Sequence, residues 1–130
     1  MDWDRLVAAA SGARANAHAP YSRFAVGAAV ECNDGRVFAG ANVENRSYGL
    51  ALCAERAAVA AAVSAGARDL AAVAVVTDVE PPAVPCGLCR ETLAEFCGPE
   101  LPILLASTNG GRRIVRLGEL FPEPFRLPGS

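Results

Sequence analysis

Two short pieces of the chain carry residue types that could do chemistry: Cys53-Ala54-Glu55-Arg56 and Pro85-Cys86-Gly87-Leu88-Cys89-Arg90. Cysteine binds metal as the thiolate, and a helix N-terminus lowers a thiol pKa through its unpaired N–H groups and its dipole. Both pieces fall where the pattern predicts a helix to begin. Cys86 and Cys89 have the CxxC spacing that grips one ion from a single turn. Three cysteines in two clustered pieces, with no obvious fourth ligand, is the informative count. A structural zinc site is closed by four protein ligands, whereas a catalytic one keeps a position open for water. Glu55 stands two residues past Cys53. A carboxylate there would reach that water, take its proton and pass it on. Alone, Glu55 would read as an acidic residue favouring a helix N-terminus. Beside three cysteines it reads as the proton carrier. A CxxC pair alone could equally be a redox pair or part of a zinc knuckle. A redox pair leaves Cys53-Ala54-Glu55 unexplained, and a knuckle would not be one ligand short. The single histidine, His18, is placed in the N-terminal helix, far in sequence from both pieces, and reads as a surface or packing residue before Pro20.

The elements that must position these residues can be read from periodicity and breakers. Residues 4–17 have a helical stripe of Leu6, Ala10, Ala13 and Ala17, stopped by Pro20. Phe24–Glu31 alternates as a strand, Asn33-Asp34-Gly35 turns the chain, and Arg36–Gly40 returns as a second strand. Residues 53–65 are Ala-rich and helical, ended by Gly66. Leu70–Val76 is a continuous apolar run, the mark of a strand covered on both faces. A helix over 87–97 closes at Gly98-Pro99. Strands at Pro102–Ala106 and Arg112–Val115 flank the turn Asn109-Gly110-Gly111, and a helical turn, Leu117–Phe121, precedes a Pro-rich tail. Strands alternating with helices argue for an α/β sandwich with a mixed sheet.

The 130 residues suit a single domain spanning 1–130. An apolar fraction of 52% in so short a chain leaves apolar surface to spare, which points to self-association. The net charge is −2 and no basic run reaches five residues, so a nucleic-acid partner is not favoured. No stretch reaches the length of a membrane span, and the N-terminus Met1-Asp2-Trp3-Asp4 lacks the basic start of a signal peptide. A cytoplasmic protein without membrane contact is expected. Five unevenly spaced cysteines argue against a disulfide framework. Cys32 and Cys97 sit in apolar runs and read as small buried hydrophobes.

Four ordered segments together resemble the small cytidine deaminases over nearly the whole chain. They are Ser22-Arg23-Phe24-Ala25-Val26-Gly27-Ala28-Ala29, Asn42-Val43-Glu44-Asn45-Arg46-Ser47-Tyr48, and the two cysteine pieces. Zinc deaminases use a His/Cys/Cys or three-Cys site with a glutamate that is not a ligand. The resemblance implies a three-layer α/β/α sandwich with a mixed five-stranded sheet. It implies one zinc per chain on Cys53, Cys86 and Cys89, with Glu55 as proton shuttle. Asn42 and Glu44 resemble residues that hydrogen-bond the ribose and part of the base, and Phe24 the ring that packs on the pyrimidine. The backbone of Ala54 resembles a contact to the base carbonyl, and Arg56 a cation that hydrogen-bonds the thiolates. The three-Cys branch forms homotetramers, in which residues matching Tyr48 and Phe125 approach a neighbour's pocket. The implied reaction is hydrolysis of cytidine and deoxycytidine to uridine and deoxyuridine with release of ammonia, a step of pyrimidine salvage.

Two residues depart from the family's pattern: Glu91 stands where glutamine is usual, and Arg46 where a small residue is common. Other readings stay open at this level. The same fold could deaminate an aminonucleoside antibiotic or bases in a nucleic acid, although the intact Asn42-Val43-Glu44-Asn45 favours a free nucleoside and no aromatic stacking platform is evident. A structural zinc module that binds a partner is the reading from a different class.

Overall fold

Helix α1 (Trp3–Arg14) begins where the Asp2 carboxylate accepts the amide of Arg5 at 3.0 Å, and it buries Leu6 and Ala10 completely. Strands β1 (Gly27–Cys32) and β2 (Val37–Ala41) form a hairpin. At its turn the Asp34 carboxylate accepts the Arg36 amide and guanidinium, and Gly35 takes the positive φ of 88° that glycine tolerates best. A short 3-10 turn (Tyr48–Leu50) leads to helix α2 (Ala54–Ser64), strand β3 (Leu70–Thr77) and helix α3 (Gly87–Phe96). Strand β4 (Pro102–Ser107), strand β5 (Arg112–Arg116) and the single-turn helix α4 (Leu117–Leu120) complete the order. The protein was obtained as a computed structural model that describes residues 1–129.

The five strands form one mixed sheet in the order β2-β1-β3-β4-β5. Only β3 and β4 run parallel; the other neighbours are antiparallel. Helix α1 covers one face, where Leu6 and Ala10 meet Ala29, Ala72, Ala74, Val76 and Leu104. Helices α2 and α3 cover the other, where Ala58, Val59 and Leu93 meet Val30, Val73, Val75 and Ile103. The three-layer α/β/α arrangement follows, and β3 is buried on both sides as its unbroken apolar run requires. Parallel pairing has a topological result. Helix α2 feeds β3 and α3 feeds β4, so both helices start at the edge of the sheet where the two parallel strands end.

Some boundaries differ from those the sequence predicts, each for a local reason. Helix α1 stops at Arg14, and His18 lies outside it. The His18 backbone pairs instead with the chain after β2: its amide donates to the Asn42 carbonyl and its carbonyl accepts the Glu44 amide. Residues 24–26 lie outside the β1 ladder, where the Asn42 side chain takes up the Phe24 carbonyl and the Val26 amide and Arg14 takes the Ala25 carbonyl.

Glycine sets how deeply α2 seats on the sheet. A Cβ at Gly40 would lie 2.5 Å from the Ala58 amide, 2.7 Å from the Ala57 Cβ and 2.8 Å from the Ala54 carbonyl. Backbone cannot yield as a side chain can, so Gly40→Ala should push α2 outward and destabilise the fold by about 2 kcal/mol or more. Urea unfolding of the variant beside the parent checks this; an unchanged midpoint would show that the helix has room to spare.

Candidate active site

Cys53 is the residue immediately before α2 and Cys86 the residue immediately before α3, so both occupy N-cap positions, while Cys89 lies in the first turn of α3. Their Sγ atoms converge. Cys53 and Cys86 are 3.7 Å apart, Cys86 and Cys89 are 3.5 Å apart, and all three sulfurs lie within 4.8 Å of one another. A tetrahedral zinc about 2.3 Å from each sulfur needs sulfur–sulfur separations of about 3.8 Å. The donor set therefore fits zinc in chemistry and in spacing, with three protein ligands and one direction left for a small molecule.

The electrostatics prepare the cluster for a cation. Burial pushes the Cys53 thiol up, as it does Cys89, on which the nearby Glu55 and Cys53 charges act in the same direction. At Cys86 burial also acts upward, but the amides of Cys89 and Leu88 and the neighbouring thiols outweigh it, and its pKa falls below the ordinary value. Those amides belong to the first turn of α3, where N–H groups have no partner within the helix. Glu55 is only 6% exposed, and its burial pushes the carboxyl above the usual range against weaker opposition from its own amide and the Cys89 thiol. Its proton is therefore held more tightly than that of an exposed glutamate.

These groups line a cavity of about 230 Å³ together with Phe24, Asn42, Glu44 and Ala54. That is the space of roughly eight water molecules, enough for one small ring. Its far wall is held by backbone pairing: Val43 and Leu52 exchange amide and carbonyl at 2.9 and 2.8 Å, directly before Cys53. The Asn42 side chain accepts the Val26 amide at 2.9 Å and donates to the Phe24 carbonyl at 2.7 Å. Glu44 Oε1 accepts the amides of Tyr21 and Ser22, and its Oε2 accepts the Ser22 hydroxyl. The Ser22 hydroxyl and amide hold the Glu44 carboxyl below the usual range despite some opposition from burial.

Not every residue singled out from the sequence lies in this cavity. Tyr48, 77% exposed, lines a neighbouring depression with Tyr21, Ser22 and Glu44, and its ring meets Tyr21 edge-on at 6.1 Å. Phe125, 73% exposed, lies in another depression with Glu91, Ala94 and Glu95. Glu91 thus borders the tail and does not line the thiol cavity. Arg56 is half-buried, and its side chain makes no hydrogen bond or ion pair to any described residue, the thiols included. His18 is not part of the metal-ligand cluster. Cys32 is buried in the core, and Cys97 is packed against it, donates to the Leu93 carbonyl and is pushed up to about 11 by burial and the Glu100 charge.

Three contributors escaped the sequence reading. Ser22 was seen only as part of a motif. Thr77 ends β3 against the cavity with a buried hydroxyl that no described protein group partners. Arg90 donates to the Pro85 carbonyl and to the Leu120 carbonyl, both at 2.8 Å, and so ties the loop before Cys86 to α4. Nothing in periodicity marks such bonds; only Arg90's place directly after the second cysteine hinted at one.

Room for one tetrahedral ion with a face left open, beside a buried carboxyl, is what a zinc hydrolase needs, and fold and site together put the protein in that class. The chain belongs to the cytidine and deoxycytidylate deaminase family, whose zinc-binding region matches residues 1–105. It is 46% identical to the cytidine deaminase of Halalkalibacterium halodurans over 96% of this chain and 95% of that one. The crystal structure of cytidine deaminase from Burkholderia pseudomallei superposes with a TM-score of 0.92 at 47% identity, covering 96% of this chain and all (100%) of the other. That of the Mycobacterium tuberculosis enzyme gives 0.85 at 49% identity, covering 98% and 99%.

About one zinc per chain is expected from a three-cysteine site. Cys86→Ala should lose it, while Cys97→Ala, which touches a thiol outside the cluster, should keep it. Elemental analysis after exhaustive dialysis decides; full zinc in Cys86→Ala would remove that residue from the ligand set.

Proposed function

We propose that the protein, as one domain over residues 1–130, hydrolyses cytidine and deoxycytidine to uridine and deoxyuridine, releasing ammonia. The observation that carries this reading is the placement of the buried Glu55 carboxyl in the same small cavity as the three thiols and the Asn42–Glu44 wall. Cys53, Cys86 and Cys89 would hold zinc, which when bound supplies the Lewis acidity that brings the ionisation of a water down to about 7.

The chain's own residues do the rest. Phe24 packs on the pyrimidine, and the Ala54 amide, unpaired at the first position of α2, is the donor for the base carbonyl. Asn42 has one N–H left after bonding Phe24, and Glu44 has acceptor capacity left on Oε2; these serve the sugar. Glu55 takes a proton from the attacking water as its oxygen adds to C4, and gives that proton to N3 of the base. It then carries the second water proton to the departing amino group, which leaves as ammonia. Burial suits Glu55 to both halves of this cycle, since its raised pKa makes the protonated form accessible.

The working enzyme is a homotetramer in this reading. Tyr48, Leu50, Leu88 and Phe125 are large apolar side chains that lie exposed on a single chain. Phe125 sits away from its own chain's cavity, so the tail is available to a neighbouring subunit's site, and Tyr48 stands at the rim of one. Among the described residues no helix is long and apolar enough to cross a membrane. All five cysteines are free, which suits a reducing cytoplasm.

Ammonia release from cytidine by the pure protein tests the activity, and Glu55→Gln tests the assignment. That variant keeps shape and polarity but cannot shuttle protons; zinc should be retained and kcat should fall at least roughly 100-fold. Near-normal turnover would remove Glu55 from its role. Light scattering should report four chains, and Phe125→Ala should lower activity more than it lowers the unfolding temperature. A fully active monomer would overturn the shared site.

A further inference from the structure

The carboxylate assigned to the sugar does not choose its own orientation. Glu44 Oε1 accepts two amides, from Tyr21 at 3.0 Å and Ser22 at 3.1 Å, which occupies both of its lone-pair directions. Oε2 accepts the Ser22 hydroxyl and keeps one direction free. Glu44 therefore presents a single acceptor site to the cavity, and the hydrogen bond from Ser22 decides where it points.

The Ser22 hydroxyl is itself fixed. Its oxygen accepts the Phe24 amide at 3.0 Å, which leaves the O–H aimed at Glu44. The intervening Arg23 has φ of 60°, a left-handed conformation uncommon for a residue with a side chain, and its amide donates to the Ala19 carbonyl at 2.9 Å. Such a conformation persists where the surroundings enforce it, and it clusters where geometry serves function. Here it bends the chain so that a residue and its second neighbour share one hydroxyl. A hydroxyl can donate to a carboxylate and accept from an amide at once; alanine can do neither, and threonine can do both.

We propose that Ser22 is a positioning residue for the deamination, holding the Glu44 carboxylate with its one free acceptor direction toward a sugar hydroxyl of the bound nucleoside. The proposal rests on the reading of Glu44 as the sugar acceptor. It makes recognition of the sugar a matter of preorganisation: the bond direction exists before the ligand arrives, so binding does not have to order it. It also accounts for a serine that touches no reacting atom standing two residues before the ring that packs on the base.

The test is steady-state deamination of cytidine by the zinc-loaded parent, Ser22→Ala, Ser22→Thr, Glu44→Ala and the double variant Ser22→Ala/Glu44→Ala, with unfolding temperature and zinc content measured on each. Ser22→Ala should raise KM roughly tenfold, the scale of a lost hydrogen bond to a charged group, with kcat, zinc content and unfolding temperature near the parent's. Ser22→Thr should restore KM; Ser22 is exposed, so a methyl group has space. Glu44→Ala should raise KM at least as much, and adding Ser22→Ala to it should change KM by less than about twofold, because neighbours acting through one group are not additive. An unchanged KM in Ser22→Ala beside a raised one in Glu44→Ala overturns the positioning role and leaves the Glu44 reading standing. An unchanged KM in Glu44→Ala removes that reading and the proposal with it. Additive losses in the double variant, or a fall in stability that threonine does not rescue, overturn the proposal by making Ser22 independent of Glu44.

Discussion

Three thiols can meet around one ion only if two helices begin at the same place, and the parallel pairing of β3 with β4 is the constraint that brings this about. Each of those strands is preceded by a helix that runs back across one face of the sheet. With the strands parallel, both helices start at the edge where both strands end. An antiparallel pair would place the two N-termini at opposite edges and leave Cys53 a sheet's width from Cys86. The rest of the sheet is antiparallel and serves this pair: β1 and β2 supply the surface on which α2 seats, at a depth that the missing side chain of Gly40 allows.

The meeting of helix starts also settles the charge problem. Thiolates and an ionised Glu55 crowded into a part-buried pocket repel one another, and burial opposes each of them. The first-turn amides of α3 ease the load at Cys86, which is the least buried of the three. What remains is an excess of acceptor character that a divalent cation satisfies. Glu55 faces the same cluster without belonging to it, so its proton affinity is set by how dry the pocket is and by how much negative charge the thiols retain. A shallower site would give a more acidic Glu55 and a poorer proton carrier.

How much of this was legible in the sequence depends on whether a feature is written in spacing or in space. The cysteine pieces were legible because a short motif at a helix start is local: Cys86, Cys89 and the turn that presents them lie within four residues. Five strands and the covered β3 were legible from apolar runs and Gly-rich turns. The end of α1 was not, because the pairing of His18 with Asn42 and Glu44 spans more than twenty positions and competes with a helical pattern that continues past Arg14. Thr77 and Arg90 were missed for the same reason. A buried hydroxyl with no partner among the described residues, and a guanidinium that reaches the Leu120 carbonyl thirty positions on, depend on how segments meet in space.

Asn42 shows where the two kinds of information overlap. Resemblance marks it as a substrate contact, yet its amide already joins the Phe24 carbonyl to the Val26 amide. Both roles can hold, since a side-chain amide has two donor hydrogens and two acceptor directions, and the backbone uses one of each. The remaining N–H is directed by the two bonds already made, just as the free direction on Glu44 is fixed by Ser22 and Tyr21. The wall opposite the thiols is therefore assembled from side chains that hold the irregular segment 21–26 in place and keep some hydrogen-bonding capacity free. A segment held by side chains instead of a strand ladder has few bonds to fix its shape, so each of them counts for the geometry of the wall. Its residues are accordingly specified by the backbone they satisfy before any ligand arrives.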